Sequence, residues 1–99
     1  ILLFRAKQRE EVMHGKLVQA SSRFQEVIEL QFVEWGFSAT ESEIGILLIK
    51  GLSIAEIAEI RNRSQATIKA QNTSIYNKSG MANRAQLVSY FVEELTSGF

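Results

Sequence analysis

The sequence contains no cysteine, no proline and no aspartate, and its only histidine is His14. The absence of cysteine excludes disulfides, thiolate catalysis and cysteine-ligated zinc. Without aspartate, the chain cannot form an EF-hand loop, an aspartyl dyad or a phospho-acceptor site. A single histidine leaves no second imidazole for a metal cluster or a catalytic pair. We therefore expect neither an enzyme nor a protein that holds a metal or another cofactor.

The charges balance overall but are unevenly distributed along the chain. Eleven Lys and Arg residues stand against eleven Glu residues in 99 residues, so the net charge is zero. That balance, taken alone, argues against a nucleic-acid ligand. Residues 1–60, however, carry six basic and nine acidic side chains, whereas residues 61–92 carry five basic and no acidic ones. The neutral total conceals a basic block in the C-terminal third.

The N-terminal third has the periodicity of a long helix. Between Leu3 and Glu34, ten positions recur in alternating steps of three and four, as in a heptad repeat, and seven of them are apolar or small while three are polar. Such a helix over residues 1–35 would be about 50 Å long and would have little to bury against within one chain. We expect it to pair with a second copy in a parallel homodimer through Leu17, Phe24 and Val27. The alternative is a helix that folds back onto the C-terminal part.

The run Ile1-Leu2-Leu3-Phe4 precedes three basic residues and has two interpretations. It is either the last turn of a membrane helix with its basic cytoplasmic flank, or the start of a soluble helix. We accordingly expect a cytoplasmic protein, either free or as the cytoplasmic part of a membrane-tethered one. A sensor or membrane segment would then lie upstream, outside this chain.

Gly36 ends the long helix, and four short helical segments follow between residues 37 and 96. Ser53 and Glu56 form a capping box, and Ser64 is placed to cap the next helix. No strand-like alternation persists, so the sequence predicts an all-α fold, a long N-terminal helix followed by a four-helix helix-turn-helix bundle. The expected helices start at Ser38 or Thr40, Ser53, Gln65 and Asn83, and Ile60 and Leu87 are among their inward-facing residues.

The segment 65–78 has the character of a recognition helix. In a helix-turn-helix, the first helix braces and the second enters the major groove of DNA. The side chains expected on its outer face are polar, cationic or small, and none is acidic, which suits base edges flanked by phosphates. These residues are Gln65, Lys69, Ala70, Thr73, Asn77 and Lys78, whereas Ile68 and Ile75, with Ala66, Asn72 and Tyr76 as further candidates, are expected to face inward.

A series of ordered matches gives residues 37–88 a family resemblance. They comprise Glu41 and Glu43, Gly51-Leu52-Ser53, Glu56-Ile57-Ala58, Ser64, Thr67-Ile68-Lys69, Ile75, Lys78, Gly80, Arg84 and Leu87. This segment resembles the LuxR/GerE-type helix-turn-helix domain of bacterial transcription regulators. The resemblance implies a regulator that binds double-stranded DNA as a dimer on a near-palindromic site.

The resemblance also implies roles for individual positions. Lys69, Ala70 and Thr73 match base-reading positions. The residues implied near the DNA backbone or the helix start are Ser64, Gln65, Thr67, Gln71 and Lys78, and those implied in dimerisation by the last helix are Leu87, Val88 and Phe91. The chain departs from the family pattern at Thr40, Gly45, Ala55, Gln71 and Ser79.

A second function stays open at this point. The charges lost at Thr40 and Ala55 and the zero net charge are compatible with a coiled-coil protein-interaction module that has repurposed its helix-turn-helix. Such a module should expose an apolar patch on the recognition helix instead of a basic stripe. We also expect Arg84 to form a structural ion pair with Glu41 or Glu43.

Overall fold

The computed structural model describes the backbone of residues 11–97 and the side chains of residues 23–97. Within this part of the chain there are five helices and no strand, which confirms the all-α prediction. The predicted helical residues 1–10 lie outside the described residues. In chain order the helices are α1 (Glu11–Glu34), α2 (Ala39–Ile49), α3 (Ile54–Arg61), α4 (Gln65–Ser79) and α5 (Arg84–Thr96).

Local hydrogen bonds determine where the short helices begin. Ser38, and not Thr40, caps α2, because its hydroxyl accepts from the Glu41 amide at 3.1 Å while the Glu41 carboxylate accepts from the Ser38 amide at 2.8 Å. The predicted capping box of Ser53 and Glu56 starts α3 with the same distances. Gly36 ends α1 with a positive φ of 78°, a conformation that favours glycine.

A single hydrophobic core connects all five helices. α4 packs against α2 and α3, while α2 also contacts α1 and α5. The predicted boundary at residue 36 does not divide this core, since α1 contributes two of its residues. One predicted core residue, Ile60, is 61% exposed because it lies on the outer side of α3. The buried apolar residues are Ile28, Phe32, Ile44, Leu48, Ile57, Ala58, Ile68, Ile75, Leu87 and Phe91.

Aromatic rings attach the C-terminal end of α1 to the bundle. The Phe32 ring stacks on Phe37 with centroids 4.6 Å apart and meets the Phe91 ring edge-on at 5.8 Å. Trp35 lies 5.2 Å from the Tyr90 ring, centroid to centroid. Such aromatic pairs add roughly 0.5–1.5 kcal/mol each beyond the area that they bury. The end of α1 is therefore part of the folded bundle and not a separate linker.

Gly45 provides the space that the Phe32 ring occupies. A Cβ atom at this position would lie 2.8 Å from Cε2 and Cζ of Phe32. Phe32 is fully buried among other rings, so it cannot move aside without disturbing the core. This packing explains why Gly45 occupies a position where the resemblance leads us to expect a larger apolar residue.

We expect Gly45→Ala to destabilise the fold by about 1–2 kcal/mol, because overpacking outweighs the gain in helix propensity. Chemical denaturation would measure the difference in free energy of unfolding. In a Phe32→Leu background, which removes the clashing atoms, the same substitution should be neutral or stabilising. An equal cost in both backgrounds would show that Phe32 is not the constraint.

Candidate nucleic-acid interface

The turn between α3 and α4 determines the direction in which α4 continues from α3. Asn62 adopts a left-handed conformation with φ 55° and ends α3. The Arg63 amide donates to the Ala58 carbonyl at 2.9 Å and closes the turn. Ile57 and Ala58 are buried in the core with Ile68 of α4. The small side chain at Ala58 is consistent with the close helix approach expected of a helix-turn-helix.

The first turn of α4 is held by its own hydroxyl groups. Ser64 caps the helix as predicted, accepting from the Thr67 amide at 3.1 Å, and its Oγ lies 2.9 Å from Thr67 Oγ1. Gln65 is exposed beside them, and Gln71 is half-buried one and a half turns further along. The helix-start role is therefore confirmed for Ser64, while contacts of these four residues with phosphate stay predictions.

The three residues predicted to read bases are all exposed on α4. Lys69, Ala70 and Thr73 are solvent-exposed, and the Thr73 hydroxyl donates to the Lys69 carbonyl at 3.1 Å. Ala66, a candidate for the inner face, is exposed, so that assignment was wrong. The buried side of α4 consists of Ile68, Asn72, Ile75 and Ser79, and the exposed residues at helical spacing opposite are Ala66, Ala70, Thr73 and Asn77.

Two of the five cations in the basic block are neutralised within the bundle. Arg61 forms an ion pair with Glu43, and Lys78 Nζ lies 2.7 Å from Glu41 Oε1. The predicted ion pair of Arg84 with one of these glutamates is therefore wrong. Within residues 23–97, the cations of the block that form no ion pair are Arg63, Lys69 and Arg84.

The Glu41 carboxylate connects α2 to the second half of α4. It is only 5% exposed and accepts from the Lys78 ammonium, the Ser74 hydroxyl and the Ser38 amide. Burial alone would raise the pKa of Glu41, but these hydrogen bonds and the charge of Lys78 outweigh it and lower the pKa to about 2. Lys78 also lies 3.3 Å from the Gly36 carbonyl. The predicted phosphate contact of Lys78 would have to compete with these internal partners.

Local sequence patterns do not reveal this network. Ser38 was one of two candidate caps of α2, but 37 residues separate Glu41 from Lys78. No local pattern shows that a capping carboxylate has a second, distant partner. Only the packing of α4 across α2 brings the two charges together.

The residues predicted for dimerisation differ in exposure. Leu87 and Phe91 are 0% and 1% exposed inside the core, so they cannot contact a second copy, and that part of the prediction is corrected. Val88 is half-buried, whereas Phe24 and Val27 are exposed on α1. The side chain of Leu17 lies outside the described residues. Further exposed apolar side chains are Leu30 and Val33 on α1 and Val92 on α5.

Other kinds of site find no support in the described part of the chain. Residues 11–97 contain no helix that is long and apolar enough to cross a membrane. Residues 23–97, whose side chains the structure describes, contain no group of three or more metal-ligating side chains arranged to hold a metal ion.

Glu41→Gln should destabilise the fold by about 2–3 kcal/mol at neutral pH, because it leaves Lys78 without its buried partner. Since the pKa of Glu41 falls from an ordinary 4.5 to about 2, its contribution is present above pH 4.5 and is lost as the pH falls toward 2. Urea unfolding between pH 7 and pH 3 should therefore show a flatter acid dependence for the variant. The control Glu43→Gln, in a more exposed pair, should cost less than about 1 kcal/mol. Equal losses in the two variants would contradict this role.

Comparison with known proteins agrees with this geometry. No curated protein and no solved structure matched the chain. The family model described as bacterial regulatory proteins, luxR family, matches residues 36–91, more than half of the chain. The matched region spans α2, α3 and α4 and extends into α5, and it confirms the resemblance drawn from the sequence. The chain belongs to the luxR family of bacterial regulatory proteins, whose helix-turn-helix domains bind DNA and regulate transcription.

Proposed function

We propose that this protein is a sequence-specific regulator of transcription that binds duplex DNA as a homodimer, with α4 in the major groove. The observation that carries the proposal is the exposed face of α4, which presents Lys69, Ala70 and Thr73 and no acidic side chain. A groove lined by phosphates would repel an acidic helix but accepts this one. Lys69, Ala70 and Thr73 face the bases, and Ser64, Gln65, Thr67 and Gln71 lie near the phosphates.

Lys78 has a different role in this proposal from that of Lys69. Its ammonium is paired with Glu41, so its charge serves mainly to hold α4 against α2. Lys69, Arg63 and Arg84 are the cations left to attract the phosphate backbone. A dimer with three such contacts per protomer would release about six counterions and show a log–log salt slope near −5.

The exposed apolar residues of α1 support a homodimer. Phe24, Val27, Leu30 and Val33 lie on parts of the helix that the bundle does not cover. Val27, with Phe24 and Leu17, belongs to the heptad seam, and Val88 and Val92 on α5 offer a second, smaller patch. Since α1 is clamped to the bundle by Phe32, pairing along α1 would also set the separation of the two recognition helices. A sensor or membrane segment upstream would act through the same helix.

A protein-interaction module is the alternative function. The exposed apolar residues of α1 and the neutralisation of two cations favour it. The exposed face of α4 does not, because the large exposed hydrophobic side chains lie on α1, α3 and α5. An interaction module should carry its apolar patch on the repurposed helix itself. DNA binding therefore accounts better for α4.

We expect Lys69→Ala to weaken binding to a duplex and to reduce the salt slope by about 2 per dimer, since each protomer loses one of its three unpaired cations, which faces the bases from within a groove lined by phosphates. Titrations at several salt concentrations would measure both quantities. Lys50→Ala is the matched control, because it removes an exposed lysine outside α4 and should leave the slope unchanged. Equal effects of the two substitutions, or no binding to any duplex, would contradict the proposal.

Val27→Glu should shift the chain from dimer to monomer, because it places a charge in the apolar seam of α1. Sedimentation velocity over a range of protein concentrations would measure the change. Ile60→Glu provides the control, since Ile60 is an exposed apolar residue on α3, away from the seam. If wild type is already monomeric, or if Ile60→Glu dissociates the dimer as well, pairing through α1 is wrong.

A further inference from the structure

We propose that α4 recognises the C5-methyl groups of thymine, through the methyl groups of Ala70 and Thr73. This inference rests on the proposed function and adds which chemical feature of the bases is read. It also assigns Thr73 a readout by its methyl group and not by donation from its hydroxyl. One hydrogen bond inside α4, and the pair of methyl groups on its exposed face, support this readout.

The hydroxyl hydrogen of Thr73 is already engaged. Thr73 Oγ1 donates to the carbonyl of Lys69, four residues earlier, at 3.1 Å. This bond is a common arrangement for threonine within a helix, and a hydroxyl has only one hydrogen to donate. Thr73 therefore cannot donate to the acceptors that guanine, adenine and thymine display in the major groove unless it gives up this bond. Its methyl group is unengaged, and its oxygen is left only as an acceptor, for the amino groups of adenine or cytosine.

Ala70 extends the same apolar patch. Positions three apart on a helix are neighbours, with Cβ atoms about 5–6 Å from each other. Ala70 and Thr73 are both exposed, so two methyl groups lie side by side on a face whose other members include Lys69 and Asn77. The small side chain at Ala70 also lets the helix backbone come close to the bases. The patch is apolar but too small to bind a protein partner.

Only one base presents a matching group in the major groove. Thymine carries a C5-methyl there, whereas the other three bases offer hydrogen-bonding groups alone at the corresponding edges. Burying one methyl against another apolar group is worth about a fourfold change in affinity. We therefore expect each half-site to contain at least one thymine whose methyl group is needed for full affinity.

The experiment begins with a duplex enriched from a random pool by the wild-type protein. Each thymine is then replaced in turn by deoxyuracil, which removes the methyl group and leaves base pairing intact. At one or two positions per half-site, the substitution should weaken binding about fourfold. Uracil at the remaining positions should have little effect and serves as the internal control.

Two substitutions of Thr73 separate its methyl from its hydroxyl. Thr73→Val keeps a methyl and loses the hydroxyl, so affinity and uracil sensitivity should be preserved. Thr73→Ser keeps the hydroxyl and loses the methyl, so binding should weaken about fourfold and uracil should no longer matter at the thymine that Thr73 contacts. Thermal unfolding of both variants would show that the fold is intact.

The outcomes separate the two proposals. If Thr73→Val weakens binding while Thr73→Ser does not, the hydroxyl is the reader and the inference is wrong. If a duplex is enriched but uracil is tolerated at every position, the inference fails and the proposed DNA binding stands. If no duplex is enriched, both fail together.

Discussion

The ion pair between the buried Glu41 carboxylate and the partly exposed Lys78 ammonium is the interaction on which the arrangement of the helices depends. The Glu41 carboxylate accepts from the Ser38 amide at the start of α2 and from the Ser74 hydroxyl and the Lys78 ammonium of α4. The same ammonium donates to the Gly36 carbonyl after the end of α1. A buried charge is tolerated only when it is paired and hydrogen-bonded, so the network specifies one position for α4. These contacts thus fix the direction in which α4 presents its exposed face.

Ion pairs inside the bundle neutralise positive charge that the sequence predicts to be available for DNA. Two of the five cations in the basic block neutralise glutamates of α2, and Lys69 is then the lysine of α4 that forms no ion pair with the described residues. A surface of this kind depends less on long-range attraction and more on close contact with base edges. The methyl groups of Ala70 and Thr73 are suited to such close contact. The small number of unpaired cations is therefore consistent with the proposed readout by methyl groups.

The other constraint is the docking of α1. The luxR-family match begins at residue 36, but the core already includes Ile28 and Phe32. The Phe32 ring fills the space above Gly45, so the family domain in this chain is completed by a helix that precedes it. Because α1 is packed into the bundle, the position of α1 in any dimer formed along it would also fix the position of the two bundles.

Local sequence determined the helix boundaries and the class of the fold. Caps at Ser53 and Ser64 and the stop at Gly36 depend on hydrogen bonds and backbone angles within a few residues, so they could be predicted. The exposure of Lys69, Ala70 and Thr73 could also be predicted from helical spacing. Tertiary structure alone decided which glutamate met which cation, and placed Ile60 outside the core although its spacing predicted an inward-facing residue. The physical reason is the same in each case: a local pattern specifies a helix and its apolar stripe, whereas the partner that covers the stripe or neutralises a charge comes from a distant segment.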